Sequence, residues 1–262
     1  MEAKFEKTTF MQRLKTMLKV DFKRMFTMPL VYIMAGVSFA MPILILAMTS
    51  FMGGSEDGAE AAVTFTNVWQ AISSVSGGES AGMSMDLTTM CNMNLLYFMI
   101  AVLVCVFTAE DFRSGYAKNL FTVRSKKVDY VFSKSLVCFA GGAIMILVFF
   151  IGALLGGAIA GLPFTMEGFD SGNLIACLFA KIFLVPVFAS LFLLFSVIAK
   201  QRIWLSILLS LGCGTFMFMM IPMMTPLNAN LLHVIMTLAG GALFAVGLGA
   251  VSNVILNKTS LV

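Results

Sequence analysis

The residues of this sequence that could do chemistry in water lie in one short polar segment between two long apolar runs. The segment opens with an acidic pair and continues to a basic cluster at Arg124, Lys126 and Lys127. Its first part contains Glu110, Asp111, Phe112, Arg113, Ser114, Gly115, Tyr116 and Lys118. Such a dense mixture of charges must stay in water, because a charge inside lipid is costly. We therefore expect this loop to meet a soluble partner.

Other kinds of chemistry lack the residues that they need. There is no Gly-x-x-x-x-Gly-Lys-Ser/Thr phosphate loop, so any ATP and Mg²⁺ would be bound by another chain. One histidine, His233, and five scattered cysteines fit neither a metal site nor a disulfide framework. The apolar runs hold no paired carboxylates, which argues against a proton-coupled carrier. We expect no catalytic residue, metal or cofactor in this chain.

The composition indicates a membrane protein. Of the 262 residues, 60% are hydrophobic and 11% are charged, whereas a soluble domain is about half apolar and about a quarter charged. The apolar runs reach the roughly 20 residues that cross a bilayer as a helix. No polar stretch is long enough to bury a core of its own. The sequence therefore predicts an all-α integral membrane protein, with residues 1–262 in a single transmembrane domain.

The elements that must hold the charged loop are two of six predicted spans. These run at about Leu30–Met52, Met93–Ala109, Val131–Gly161, Leu174–Ala199, Ile203–Ile221 and Leu231–Leu256. Residues 1–28 are predicted as an amphipathic interfacial helix, since apolar residues recur at helical spacing opposite a basic face. Residues 53–92 are predicted as an acidic extracytoplasmic loop, with a surface helix at 59–75 around Trp69. Residues 110–130 form the charged loop between spans two and three.

The basic residues predict the orientation of these spans. All but one of the 17 lysines and arginines fall at the N-terminus, in the charged loop or just after it at Lys134, in the turn at Lys200 and Arg202, or near the C-terminus. The loops on the other side carry acids and no base. Because basic loops stay on the cytoplasmic side, both termini are expected in the cytoplasm. The chain is thus predicted to be a multi-pass protein of the cell membrane.

The charged loop resembles that of ABC (ATP-binding cassette) permeases of the type-2 exporter class. The Glu…Gly pattern of that class falls on Glu110, Ser114 and Gly115, with Tyr116 where a threonine is usual. Its later basic positions are matched by Arg124, Lys126 and Lys134. The resemblance extends over nearly the whole chain, because an N-terminal elbow helix, six spans and a broken segment between spans five and six are also typical of the class.

The resemblance implies a partner and a role for the loop. In this class the loop is a coupling helix that docks in a cleft of a separate ATPase subunit, which holds the ATP and Mg²⁺. The eight loop residues from Glu110 to Lys118 named above would then be the ATPase contacts. Two permease subunits, identical or related, would combine with two ATPase subunits. No nucleic acid partner is expected.

Two properties of the loop itself have open alternatives. Phe112, Tyr116 and Leu120 are spaced as one apolar stripe of a helix, which would fit a groove in a partner or fold back onto the lipid headgroups. Glu110 and Asp111 could be solvated boundary charges. We favour instead an ion-pair cluster with Arg113, Arg124 or the elbow helix, because adjacent like charges at a lipid interface need neutralisation.

Three residues within the spans are candidates for contact with a substrate or a second subunit. Apart from Lys134 at the start of span three, Lys181 is the one basic residue inside a span, and we favour its extension to the membrane surface over such a contact. Met217 and Met220 belong to a methionine-rich stretch that suits an adaptable apolar surface or ordinary packing. Small residues four apart would allow close helix packing within or between subunits, at Gly152 and Gly156, at Gly157 and Gly161, and at Gly241, Ala245 and Gly249.

Taken together, these features predict a permease subunit that exports an amphipathic or hydrophobic substrate, such as a peptide, drug or lipid. ATP hydrolysis by the separate ATPase would drive the export. One alternative is a membrane scaffold or sensor whose loop binds a regulator. Another is a membrane-embedded enzyme, which would need clustered polar groups at membrane depth.

Overall fold

The computed structural model describes residues 10–52, 65–75, 92–123 and 127–258, and the regular elements in these ranges are all helices. The α-helices are α1 (Phe10–Thr27), α2 (Pro29–Met52), α3 (Leu96–Arg113), α4 (Tyr116–Val123), α5 (Val128–Ala160), α6 (Ser171–Ala199), α7 (Ile203–Phe218), α8 (Ile221–Met224) and α9 (Leu231–Lys258). Short 3-10 helices lie at Val68–Ala71 and Met93–Leu95. Most of the predicted 53–92 loop, including residues 59–64 of its surface helix, lies outside the described residues, as do Arg124 and Lys126.

Five helices in the described ranges are long and apolar enough to cross a membrane. They are Pro29–Met48, Met93–Arg113, Val128–Ala160, Ser171–Ala199 and Leu231–Lys258, which correspond to five of the six predicted spans. The remaining predicted span forms α7, an apolar helix of 16 residues. At about 1.5 Å per residue α7 is shorter than the roughly 30 Å hydrocarbon core. A sixth crossing therefore stays a prediction.

The helix ends form two different surfaces. One end holds α1, the turn between α3 and α4, and the first turn of α5, and we call it the basic end. The opposite end holds the connecting segments 65–75, 161–170 and 219–230. Hydrogen bonds join these segments: Ser73 Oγ donates to the Thr225 carbonyl at 2.8 Å, and the Leu227 amide donates to the Ser74 carbonyl at 2.9 Å.

The core lies between α3, α5 and α6, whose facing side chains are buried. The ring of Tyr97 on α3 lies 4.6 Å from that of Phe188 on α6, and Phe98 stacks on Phe218 of α7 at 4.8 Å. By contrast, α9 packs mainly on α6 and exposes large apolar side chains along its length, such as Leu243 at 73%. Those side chains suit a lipid environment rather than water.

Glycines bring α5 and α2 close together within one subunit. A Cβ at Gly152 would overlap the Phe39 carbonyl oxygen, and a Cβ at Gly156 would lie 2.8 Å from the Ile43 Cα. Gly241 of α9 has the same role, because a Cβ there would lie 2.6 Å from the Phe183 carbonyl oxygen of α6. Of the two packing alternatives left open by the sequence, these three glycines serve packing within the subunit.

Candidate functional site

The charged loop is built as a helix end, a one-residue reversal and a second short helix. α3 ends at Arg113, and the Ser114 amide and hydroxyl both donate to the Glu110 carbonyl, at 2.9 and 2.7 Å. Gly115 then adopts a left-handed conformation with φ +72°, and α4 begins at Tyr116. A glycine accepts this conformation without steric cost. The reversal therefore changes the direction of the chain between α3 and α4.

The reversal points the loop residues in different directions. Asp111 is fully buried and Phe112 is 7% exposed, both within the protein interior. Glu110, Gly115 and Tyr116 are half-buried, whereas the exposed residues are Arg113, Ser114 and Lys118. A soluble partner would therefore meet the exposed side of the turn and not Asp111 or Phe112.

The predicted apolar stripe does not face outward. Phe112 is buried in the core, and Leu120 packs against the same core. The ring of Tyr116 is covered by the Arg24 guanidinium, whose Cζ lies 3.9 Å from the ring centroid. The expectation of an exposed stripe is therefore wrong, because the core and Arg24 cover these three side chains within the subunit.

Asp111 is the centre of a buried ionic network that connects three helices. Its Oδ1 lies 2.6 Å from Nη1 of Arg24 on α1, and its Oδ2 lies 2.7 Å from Nζ of Lys134 on α5. The Tyr130 hydroxyl donates to the same Oδ2 at 2.9 Å. The predicted pairing of Asp111 with the elbow helix is thus confirmed. Glu110 takes no part in these ion pairs.

Asp21 of α1 completes the ionic network. Its Oδ1 lies 3.1 Å from Lys134 Nζ, and its Oδ2 accepts a hydrogen bond from the Ser133 hydroxyl at 2.6 Å. Asp21 and Lys134 both have fully buried side chains. Two acids and two bases, Asp21 and Asp111 with Arg24 and Lys134, balance each other in charge. A balanced set is what a buried ionic group requires to be tolerated.

Two further contacts join α1 to α5 and α4 to α5. The Arg13 Nε of α1 bonds the Asp129 carboxylate of α5 at 2.9 Å. The ring of Phe121 on α4 meets the Tyr130 ring edge-on at 5.2 Å. The exposed turn, α1, α3 and α5 are therefore joined as one mechanical unit at the basic end.

The network also sets the charge states of two residues around the turn. Burial alone would lower the pKa of Arg24, but the Asp111 carboxylate more than offsets it, so this pKa is raised above its usual value. Burial, together with the negative charge of Asp21, raises the pKa of the Tyr116 phenol. Arg24 is therefore charged and Tyr116 neutral at physiological pH, which suits their stacked arrangement.

Sequence reasoning placed Asp21, Asp129 and Tyr130 in no site. Asp21 is the only acid in α1, an otherwise basic helix. Lys134 follows Tyr130 by four positions, which places both on one face of α5. A lone acid on a basic amphipathic helix was the signal that could have indicated a buried ion pair.

The opposite end contains a second polar cluster around Lys181 of α6. The Lys181 side chain is fully buried, so the expectation that it reaches the membrane surface is wrong. Its Nζ donates to Asn94 Oδ1 at 2.5 Å and to Thr225 Oγ1 at 3.0 Å. Met217 is half-buried and Met220 is exposed, and both line a nearby cavity of about 170 Å³. Direct contact of Lys181 with a substrate or second subunit would require this cluster to open.

A family model described as ABC-2 family transporter protein matches residues 17–217, which include Asp21, Arg24, the charged loop and the start of α5. No curated protein and no solved structure matches the chain. The match covers well over half of the sequence and several of its membrane-spanning helices. The chain therefore belongs to the ABC-2 transporter family, as a multi-pass permease subunit of an ABC transporter.

Proposed function

We propose that a separate ATPase subunit docks on the exposed side of the turn between α3 and α4 and drives export through this permease. The ATPase would bind the ATP and Mg²⁺, and this chain would carry no hydrolytic site of its own. A second permease subunit, identical or related, would complete the pathway. The substrate would be amphipathic or hydrophobic. Both termini would lie on the ATPase side, in the cytoplasm.

The ionic network is the observation that carries this proposal. A loop that transmits force must not deform by itself, and breaking a buried ion pair by removing one partner costs about 3–5 kcal/mol. Asp111 lies one helical turn or less from the exposed Arg113 and Ser114 and is bonded to both α1 and α5. A displacement of the turn would therefore move α1, α3 and α5 together.

The exposed residues of the turn favour a negatively charged docking surface on the ATPase. Arg113 and Lys118 both have exposed side chains, and neither takes part in an ion pair within the described ranges. Complementary charges of this kind speed association and fix the orientation of partners. Mutation of these two residues should weaken docking without disturbing the fold.

The test is purification of the permease with its ATPase and measurement of both binding and ATP hydrolysis in lipid nanodiscs. We expect the R113E and K118E double variant to weaken ATPase binding by about tenfold or more, because two attractive charges become repulsive. The matched control is K258E, which reverses an exposed charge at the end of α9. A partner without ATPase activity would favour the scaffold alternative. Equal binding by the double variant and the control would overturn docking at this turn.

A further inference from the structure

Lys181 is a buried cation whose polar partners are neutral. The side chain has no exposed surface, and its Nζ is bonded to the amide oxygen of Asn94 and the hydroxyl of Thr225. The ion pairs formed among the described residues are all at the basic end and do not include Lys181. A charge at membrane depth normally faces a partner of opposite sign or a cavity. Lys181 is therefore suited to an anion that is not part of the described chain.

Hydrogen-bond donors next to Lys181 remain unused. An ammonium group has three N–H donors, and Asn94 and Thr225 accept two of them. Asn94 is itself fully buried, and its Nδ2 has no hydrogen-bond partner among the described residues. Because Nδ2 and Oδ1 share one carbon atom, the free amide donors lie beside the ammonium. Two neighbouring donors of this kind fit the two oxygens of a carboxylate or phosphate group.

The cavity of about 170 Å³ lies along the same side of α6 as Lys181. Leu184 and Phe188 line it, and they follow Lys181 by three and seven residues, which places all three on one helix face. Much of the remaining wall is flexible and apolar, with side chains from Met217, Met220, Met224 and Met236. Methionines adapt to apolar groups of varied shape. A cation and an apolar cavity thus follow one another along α6.

A short segment links the cation to the cavity. The Thr225 hydroxyl accepts from Lys181 and donates to the Ile221 carbonyl at 2.9 Å, while Ile221 lines the cavity. Between them lies α8, a single helical turn of four residues. Pro222 and Pro226 donate no backbone hydrogen bonds. Movement of α8 that connects the ammonium to the cavity would have to release the Thr225 hydroxyl from Lys181 and the Thr225 carbonyl from Ser73.

We propose that Lys181 and Asn94 bind the acidic head of an amphipathic substrate, a carboxylate or a phosphate, while its apolar part occupies the methionine-lined cavity. The proposal rests on the proposed export function and specifies the charge of the substrate. Thr225 moves with α8 when the head group reaches the ammonium. An uncharged molecule with the same apolar part gains only the cavity contacts.

The test uses direct binding, so that it does not depend on the ATPase. The full-length permease is placed in nanodiscs of phosphatidylcholine, which has no net charge, and binding of radiolabelled dodecanoate, dodecyl phosphate and dodecanol is compared. We expect at least one of the two anions to bind about tenfold more tightly than the alcohol. The stronger of the two identifies the head group. Equal binding of all three ligands would overturn the proposal.

Three variants separate the head-group site from the cavity. K181M keeps an unbranched side chain without the charge, and we expect it to bind the anions no better than the alcohol. G240L fills the cavity, because a Cβ at Gly240 meets nothing within 4 Å, and it should weaken binding of all three ligands. N94D places a carboxylate beside Lys181, so it should abolish the preference for anions while the protein remains folded. Retention of the anion preference by K181M would contradict the proposal, whatever the outcome of the ATPase docking experiment.

Discussion

At the scale of single residues, Asp111 holds together the buried ionic network of the basic end. One carboxylate is shared by Arg24 and Lys134 and also accepts the Tyr130 hydroxyl, so three helices depend on it. If the Asp111 carboxylate were removed, Arg24 would lose its ion-pair partner and Tyr130 its acceptor, and the network would carry one unbalanced positive charge although Lys134 keeps Asp21. Unpaired buried charges are far more costly than lost surface pairs.

We therefore expect D111N to be strongly destabilising. The amide removes the negative charge, and the loss should be about 3–5 kcal/mol. The matched control is E110Q, which removes the neighbouring acid that lies outside the ionic network and should change stability by about 0.5 kcal/mol or less. Thermal unfolding of the two purified variants in the same detergent gives the comparison. Similar melting temperatures for D111N and the wild type would contradict the role assigned to the network.

Gly115 is the second residue with a specific requirement. Its φ of +72° is unfavourable for any residue with a Cβ, although a Cβ there would meet no atom within 4 Å. G115A should therefore cost about 1–2 kcal/mol through backbone strain alone. G36A, in the helical interior of α2 with equally free space, should instead stabilise by about 0.5–1 kcal/mol. Opposite shifts in melting temperature are the expected result, and equal shifts would exclude strain at Gly115.

At the scale of helices, the contact between α2 and α5 depends on the absence of side chains. We expect G152V to separate these helices, because its side chain would collide with the Phe39 backbone, which cannot turn aside as a side chain can. G247V of α9 is the control, since a Cβ there meets nothing within 4 Å. The yield of monodisperse protein after mild heating, measured by size-exclusion chromatography, should fall for G152V and remain high for G247V.

The positions of the long helices could be predicted from the sequence, because uninterrupted apolar runs of sufficient length have few alternatives to a spanning helix. The pairing of Asp111 with α1 could also be predicted, since an acid at the lipid boundary needs a nearby base. The covering of the apolar side chains of the loop could not be predicted. Helical spacing shows which residues share a face, but which neighbours cover that face depends on tertiary contacts such as that of Arg24 with the Tyr116 ring.

The surroundings of Lys181 could not be predicted from the sequence either. Its neighbours Asn94 and Thr225 are distant in the chain and are brought together only by the packing of the 3-10 helix before α3, α6 and the end of α8. A lysine near the end of a span has two physical solutions, extension to the surface or internal bonding. The choice depends on tertiary contacts that periodicity does not encode.

At the scale of the whole molecule, the orientation in the membrane can be tested with two exposed serines. Ser114 lies in the turn between α3 and α4, and Ser171 begins α6 at the opposite end. We expect S171C to react with a membrane-impermeant thiol reagent added to intact cells, and S114C to react only after permeabilisation, because basic loops face the cytoplasm. Peptide mapping separates these sites from the native cysteines. Labelling of S114C from outside would reverse the proposed topology.

The opposite end of the helix bundle should also open more readily than the basic end. The segments at the opposite end are joined by neutral hydrogen bonds, such as those of Ser73 with Thr225 and of Asn67 with Thr165. Each of these hydrogen bonds contributes only about 1 kcal/mol, because water can replace it. The carboxylates and cations of the ionic network at the basic end are instead buried away from water. We therefore expect any hinge motion to pivot about the basic end and to separate the segments of the opposite end first. Deuterium uptake at residues 65–75 that outpaces uptake at residues 107–113 would be its signature, and the reverse order would place the pivot elsewhere.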